Sequence, residues 1–424
     1  MRTFILLNLL LLSTPSYAIL TIDITGGTEK GGQPIAITPF FTQEDLSLSQ
    51  NIAEIISDNL YRSGQFEIMP LNLLPETPTH VDKVNFKNWQ NSGIPYLVIG
   101  RIGKNFNDYT VEFELVDIAL NTKIMGFRYR ATQKTLRQVA HKISDKIYES
   151  LTGERSIFNT RIVYVTSKNK QHKLYIADAD GNNPQLMLKS KEPILSPSWS
   201  PDGKHIAYVT YSKVEKSKRM SIYIQEIQTG YRTRIAAYKG INAAPAWSPD
   251  GRSLALTLSK DGNPEIYLLS LHNKNLTRLT HNHVIDTEPE WHPSGKYLVF
   301  TSDRSGNPQI YRMSPIGNGI RRLTFSGNYN ARPRFSPDGK KLALLHSRGK
   351  GYRIAVLNLA TGKLNVLTKT TLDESPSFAP NGNMIIYATT SALVATSIDG
   401  RVQQRIAVDM GKGIREPAWS PFFE

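Results

Sequence analysis

The chain has 424 residues, enough for two or three domains with complete cores, and its ordinary apolar content excludes wholesale disorder. It contains no cysteine, which rules out disulfides, thiolate metal sites, a cysteine nucleophile and a lipidated cysteine anchor. Its net charge of +15 is uneven: residues 19–155 hold 14 basic and 16 acidic side chains, residues 156–424 hold 36 and 20.

That excess is scattered through the second region rather than gathered into one stripe or one basic helix. It therefore reads as a soluble basic surface and not as a nucleic-acid footprint, with an anionic partner as the other reading. The first eighteen residues read as an export signal. Arg2 precedes an apolar run from Phe4 to Leu12, Pro15 breaks any helix, and Ser16-Tyr17-Ala18 offers small residues where a signal peptidase reads. No later apolar run reaches the ~18 residues of a membrane span. The expectation is a protein resident in the periplasm.

Residues 19–155 predict a compact α/β domain. Ile19–Thr25 alternates apolar and polar residues up to Gly26-Gly27, which suits either a first strand of this domain or an exposed strand for a partner. A buried strand over 34–40, an amphipathic helix over 46–61 ended by Ser63-Gly64, and a strand over 65–69 follow. Trp89 falls in a helical or loop segment. Strands near 96–102, 109–117 and 126–132 precede a helix over 135–151 that stops at Gly153. A short linker covers 153–160.

Internal repetition dominates the rest. Pro197-Ser-Trp-Ser-Pro-Asp-Gly203 returns as Pro245-Ala-Trp-Ser-Pro-Asp-Gly251, Pro289-Glu-Trp-His-Pro-Ser-Gly295, Pro333-Arg-Phe-Ser-Pro-Asp-Gly339 and Pro376-Ser-Phe-Ala-Pro-Asn-Gly382, and ends with Pro417-Ala-Trp-Ser-Pro421. Proline presets φ, aspartate bonds back to the backbone and glycine accepts positive φ, so each copy ends in a turn. The aromatic two residues after the first proline is an apolar anchor between repeats. Three β-rich runs follow each turn, the last closing on Leu-Thr at Leu279-Thr280, Leu323-Thr324 and Leu367-Thr368. Four strands at this period make one propeller blade. Residues 161–189 supply three strands without a leading Pro-x-Trp segment, and residues 417–420 supply that segment alone. Joined, they close a six-bladed ring and remove both sheet edges. The expected fold is an α/β N-terminal domain followed by an all-β six-bladed β-propeller, with boundaries at 1–18, 19–155 and 156–424.

Catalytic signatures are missing: no Gly-x-Ser-x-Gly elbow, phosphate loop or His-Glu-x-x-His helix occurs. The histidines at 281, 283 and 292 lack visible acidic support, and Asp286, Glu288, Asp373, Glu374 and Glu416 read as solvated loop charge or as a face for a basic partner, with calcium as the lesser alternative. The chain ends within four residues of the last motif, which leaves no room for the hydrolase domain that follows such propellers in some peptidases. No enzyme, cofactor or metal is expected. The residues before each motif proline, Ser196, Ala244, Glu288, Arg332, Ser375 and Glu416, converge on one mouth of the ring, with Thr287, Glu374 and Arg415 one position earlier.

Leader, α/β domain and six Pro-x-[Trp/Phe]-Ser-Pro-Asp-Gly copies resemble the TolB family of periplasmic Tol–Pal components over essentially the whole mature chain. Thr287-Glu288-Pro289-Glu-Trp291 and Leu372-Asp373-Glu374-Ser375-Pro376 are similar to the family's loops. The resemblance implies a monomeric, non-enzymatic scaffold that binds the peptidoglycan-associated lipoprotein Pal at the propeller mouth. It also implies capture of TolA by the mature N-terminus, here Ile19, Leu20, Ile22, Asp23 and Ile24, in support of outer-membrane integrity and invagination at division. By position Ala244, Thr287 and Glu288 match the Pal-contacting loops, and the mouth residues Arg332, Glu374, Arg415 and Glu416 join them. Ile241 departs from the family, which has a histidine there. An exported ligand-binding propeller, or an accessory to a separate hydrolase, is the competing class.

Overall fold

The computed structural model describes residues 22–23, 31–42, 48–106, 108–406 and 413–423. The expected leader and Ile19, Leu20 and Ile24 lie outside the described residues.

The first unit is built on one sheet. β1 (Ile22–Asp23) stands apart from it; β2 (Gln33–Ile37), β3 (Phe41–Thr42), β4 (Phe66–Ile68), β5 (Tyr96–Asn105), β6 (Asp108–Asp117) and β7 (Thr122–Ala131) form it in the order β4-β2-β5-β6-β7, with β3 beside β5. The β4-β2-β5 pairs are parallel and β5-β6-β7 antiparallel. α1 (Ile52–Arg62) and α3 (Leu136–Thr152) cover one face, where Ile56, Leu60, Ile143 and Ile147 meet Ile35 and Ile37. α2 (Phe86–Asn91) covers the other and buries Trp89 on Leu97, Ile99 and Val116. The Trp89 indole N–H is satisfied by Glu76 at 3.0 Å, as a buried indole requires. α1 starts six residues later than its apolar spacing suggests. Asn51 caps it, its Oδ1 accepting from Glu54 N at 3.3 Å, while Leu48, just before the cap, packs against the same core.

The second unit is the six-bladed propeller. Its six four-stranded antiparallel blades are numbered here by their motif prolines, from Pro197 in blade one to Pro417 in blade six. In blade six the inner strand Ile414–Trp419 pairs with Arg161–Lys168, which continues into Gln171–Asp178 and Gln185–Ser190. The end of the chain thus completes the blade that its middle began. Each motif turn is self-satisfied: in blade two Asp250 Oδ1 accepts from Ser248 Oγ at 2.6 Å and from Arg252 N at 3.0 Å, and Gly251 takes φ +69°. The Ser248 hydroxyl and the Arg252 N–H hold the Asp250 carboxyl below the usual range. The motif indoles link neighbouring blades. Trp247 donates to Ser198 O at 3.2 Å and Trp199 to Ala418 O at 3.0 Å. The Leu-Thr endings also have a role, because Thr280, Thr324 and Thr368 accept from the N–H of Ile266, Ile310 and Ile354 on the third strands.

β1 does not join the α/β sheet. It pairs antiparallel with Gln403–Ile406, the outer strand of blade five, with Ile22 opposite Gln404 and Asp23 opposite Gln403. The alternation in this segment fits either edge equally well; an outer blade strand offers unpaired N–H and C=O groups, and the α/β sheet's own edges do not take it. The two units meet close by. Gln404 donates its amide to Arg62 O at the end of α1. Arg62 and Arg137 bring two guanidiniums to Asp180, and Arg137 also reaches Asp178 at 3.0 Å. Burial alone would raise Asp180, but the two guanidiniums outweigh it and hold the carboxyl well below its usual range. No helix among the described residues is long and apolar enough to cross a membrane.

Candidate functional site at the propeller mouth

Six non-glycine residues, Ser196, Ala244, Glu288, Arg332, Ser375 and Glu416, precede the six motif prolines, and all take φ between +48° and +55°. A proline inside an inner strand cannot donate to the ladder, so the register shifts around each x-Pro pair and the strand bulges. Left-handed backbone costs roughly 1 kcal/mol or more at each such residue and persists where the surroundings enforce it, typically at functional sites. The six inner strands stand side by side. Their bulges therefore place six strained residues in one ring.

The polar side chains of this ring are wired together. Arg332 is the hub. Its N–H donates to Glu288 Oε2 at 2.9 Å and its Nε to Glu288 Oε1 at 3.1 Å, its Nη1 donates to Ser375 Oγ, and its Nη2 lies 3.8 Å from Glu416. Glu416 extends the network to blade one by accepting from Ser196 N. Burial pushes the Glu416 carboxyl up, with Arg332 opposing, and Arg332 itself is raised as the surrounding glutamates outweigh its burial. Glu288 also accepts from Thr301 Oγ1 at 2.9 Å, while its N–H donates to Thr257, whose hydroxyl lies 3.4 Å from that of Thr287. Arg415 and Glu374 form a bidentate pair at the rim, at 3.1 and 3.3 Å. Beside this rim is a hollow of about 490 Å³ with Tyr329, Tyr352 and Leu372 in its wall.

The residues expected at the mouth are therefore together, with one difference. Glu288 is not a free charge waiting for a partner; it is already satisfied by Arg332. Ala244 adds no polar group and leaves a low point in the ring. Asp286 and Asp373 are buried away from solvent: Asp286 is held by Arg304 and Asn282, each at 2.7 Å, and Asp373 by Thr368 and Thr370. His281 and His283 are exposed, and His292 stacks on Tyr297 with ring centres 4.4 Å apart at a motif turn. Among the described residues, one group of side chains has metal-ligand spacing: His141, Asp178 and Asp180. Arg62 and Arg137 already occupy its carboxylates, which makes it an ion-pair network between the two units. Sequence reasoning missed this network, since its members come from two helices and a distant hairpin.

Family models place the same two units in this chain: the TolB amino-terminal domain matches residues 20–124 and the TolB beta propeller domain residues 148–423. The Tol-Pal system protein TolB of Nitrosococcus oceani is 55% identical over 422 residues, covering 97% of this chain and 96% of its own length. That of Thioalkalivibrio sulfidiphilus is 52% identical over 431 residues, covering 99% and 98%. The crystal structure of TolB from Acinetobacter baumannii superposes with a TM-score of 0.84 at 40% identity, covering 95% of this chain and 99% of that one. An α/β unit, a six-bladed propeller closed by its own C-terminal strand, and full-length similarity at this level make the chain a member of the TolB family, a component of the Tol–Pal system.

Proposed function

We propose that this chain is a monomeric, non-catalytic adaptor of the periplasm, with a cleaved leader over 1–18, an α/β domain over 19–155 and a propeller over 156–424. The propeller mouth binds the lipoprotein Pal, and the mature N-terminal segment binds TolA. Together these contacts help hold the outer membrane to the cell wall and draw it inward at division. The observation that carries this reading is the ring of six strained residues at one mouth, five of them joined by hydrogen bonds. A partner meets there a surface that needs no further ordering, which spares the entropy that interfaces otherwise lose. Arg332, Arg415, Tyr329 and Tyr352 supply the residue types that concentrate in interface centres.

The N-terminal reading rests on where β1 is held. Among the described residues, Ile22 and Asp23 pair with the outer edge of blade five, and an added strand of this kind can move to a partner's sheet edge, exchanging its main-chain hydrogen bonds for new ones there. Gln404, the register partner of Ile22, also donates to Arg62 O, so the edge that holds the segment is tied to both units.

One set of titrations tests both contacts. Glu374→Arg places two like charges at the rim; because the Glu374–Arg415 pair is partly exposed, its loss costs the fold only about 0–1 kcal/mol. If Pal buries and pairs Glu374, its binding is expected to weaken by about 2–5 kcal/mol while TolA binding stays. A chain starting at Gly26 is expected to lose TolA and keep Pal. Wild-type affinity of Glu374→Arg for Pal removes this rim from the site, and TolA binding by the shortened chain removes the N-terminal segment.

A further inference from the structure

The fold gathers basic residues that the sequence spreads over several repeats. Blade one is the longest repeat: its motif proline stands 48 residues before the next, against 44, 44, 43 and 41 further on. The surplus lies in one hairpin. In blade two the second strand ends at Leu258, opposite Asn242, the first residue of the inner strand. In blade one the equivalent pair is Thr210 with Ile194, yet the ladder continues through four further pairs, from Tyr211 with Met220 to Val214 with Ser217. Ile194 lies just before Ser196 of the mouth ring, so the extension projects from the mouth side. Insertions into a regular repeat collect on one face, often the binding face.

Residues 211–220 carry Lys213, Lys216, Lys218 and Arg219 against Glu215 alone. Blade six adds to them from the side. Its own mouth-side hairpin brings Lys168 and Lys170, and Lys191 follows on the link into blade one. Lys218 pairs with Glu192 on that link, which sets the two groups of lysines beside each other. The corresponding hairpins of blades two, three and five, residues 259–264, 303–308 and 389–392, have no net charge. Blade four's hairpin, with Arg348 and Lys350, lies across the ring.

Most of this charge is not neutralised within the chain. Arg219 reaches Glu215 at 3.5 Å and Lys218 has Glu192. Lys168, Lys170, Lys191, Lys213 and Lys216 are exposed, and none has a carboxylate within ion-pair distance among the described residues. Like charges also face each other within both sheets: Lys213 stands opposite Lys218, and in blade six Lys173 stands opposite Lys189. Such cross-strand pairs destabilise a sheet. An anionic surface lying over them removes the repulsion.

The residue type indicates the partner. Protein interface centres are depleted in lysine and enriched in arginine and aromatic residues. A lysine ammonium is a strongly hydrated point charge on a flexible stem, suited to a diffuse field of anions rather than to one directed contact. Clusters of about four to eight basic side chains recognise anionic lipid surfaces in this way. We propose that this basic crown of blades six and one docks the protein on the surface of an anionic bilayer, as a contact separate from the polar ring of the mouth. The contact is peripheral: lysine ammonium groups meet headgroup phosphates and no segment inserts. It holds whatever protein occupies the mouth.

Co-sedimentation of the full mature chain with mixed phosphatidylglycerol–phosphatidylcholine vesicles, against phosphatidylcholine alone, tests this. At about 0.1 M salt the chain should sediment with the anionic vesicles only, and retention should vanish near ~1 M, where charges are screened within a few ångströms. Lys213→Ala combined with Lys216→Ala should lower partitioning by about tenfold or more. The melting temperature should not fall, because the double variant relieves a like-charge pair. Replacing residues 211–220 by the sequence of blade two's hairpin, residues 259–264, should give the larger loss. Lys296→Ala combined with Lys363→Ala makes the same charge change at exposed turns on the opposite ends of the strands, and should leave retention unchanged. Equal losses in the two double variants would assign retention to net charge alone. That result, or no preference for anionic vesicles, overturns the proposal. Weaker Pal binding by the hairpin replacement, with no vesicle binding by the wild-type chain, would reassign the patch to a protein partner and overturn it as well.

Discussion

Removing residues 414–424 should leave a protein that is insoluble or that melts far below wild type. The strand Ile414–Trp419 is the inner strand of blade six, and no other segment can replace it. Its loss unpairs Arg161–Lys168 and opens the ring at its only seam, exposing edges that pair between molecules. Packing goes with it. Trp419 is buried, its indole donates to Thr160 Oγ1 at 2.8 Å, and its backbone N–H reaches Ser377 in blade five at 3.0 Å. On the other side Trp199 of blade one loses both Ala418 O and the edge contact with Phe423. Deleting one buried Trp side chain costs about 3–5 kcal/mol, and here a whole strand is removed. Solubility and a melting curve measure the effect; an unchanged melting temperature would contradict closure of the ring by this strand.

Asp180→Ala should have the next largest effect, and it should act between the two units rather than within either. Asp180 is buried and is shared by Arg62, which is itself buried, and Arg137. Truncation leaves the buried Arg62 with Asp58 and Asp178, and Arg137 with Asp178, as the nearby carboxylates, a loss of about 3–5 kcal/mol by comparison with other broken buried pairs. The α/β unit should then unfold ahead of the propeller, splitting one calorimetric transition into two. Trp89, the α/β unit's own tryptophan, reports the earlier one by fluorescence. The acid response follows from the same network. Asp180 is held below its ordinary pKa, so its stabilisation is present above the ordinary carboxylate range and is lost as pH falls through the depressed folded value. Wild-type chain should therefore lose stability on acidification more steeply than Asp180→Ala. Identical acid profiles would show that the network contributes nothing.

The propeller was legible because each blade repeats its own turn chemistry and its own aromatic anchor. The closing blade was legible because two fragments, 161–189 and 417–420, each lacked what the other had. The pre-proline positions do converge on one ring, but the left-handed backbone they take there is not obvious from the motif. Its signal is present: a proline in an inner strand implies a bulge, and six such prolines imply a ring of bulges. The ion pairing of Glu288 with Arg332 could not be read from one motif copy, because the two residues belong to different blades 44 positions apart. Arg62, Arg137 and Asp180 share no period at all. They meet only when a helix end, a second helix and a hairpin are docked, which is tertiary information. For β1, a short alternating strand is compatible with any open edge, so local pattern cannot choose between the α/β sheet and blade five.

Hydrogen exchange of the whole chain, with and without saturating Pal, tests the adaptor reading most directly, because it needs no variant and reports every peptide at once. The account predicts slowed exchange in the peptides that carry Ala244, Thr287–Glu288, Arg332, Glu374–Ser375 and Arg415–Glu416, with the Pro-Asp-Gly turns at the opposite ends of the same strands unchanged. Protection confined to those turns or to the α/β unit, with the mouth exchanging as in the free protein, would contradict it.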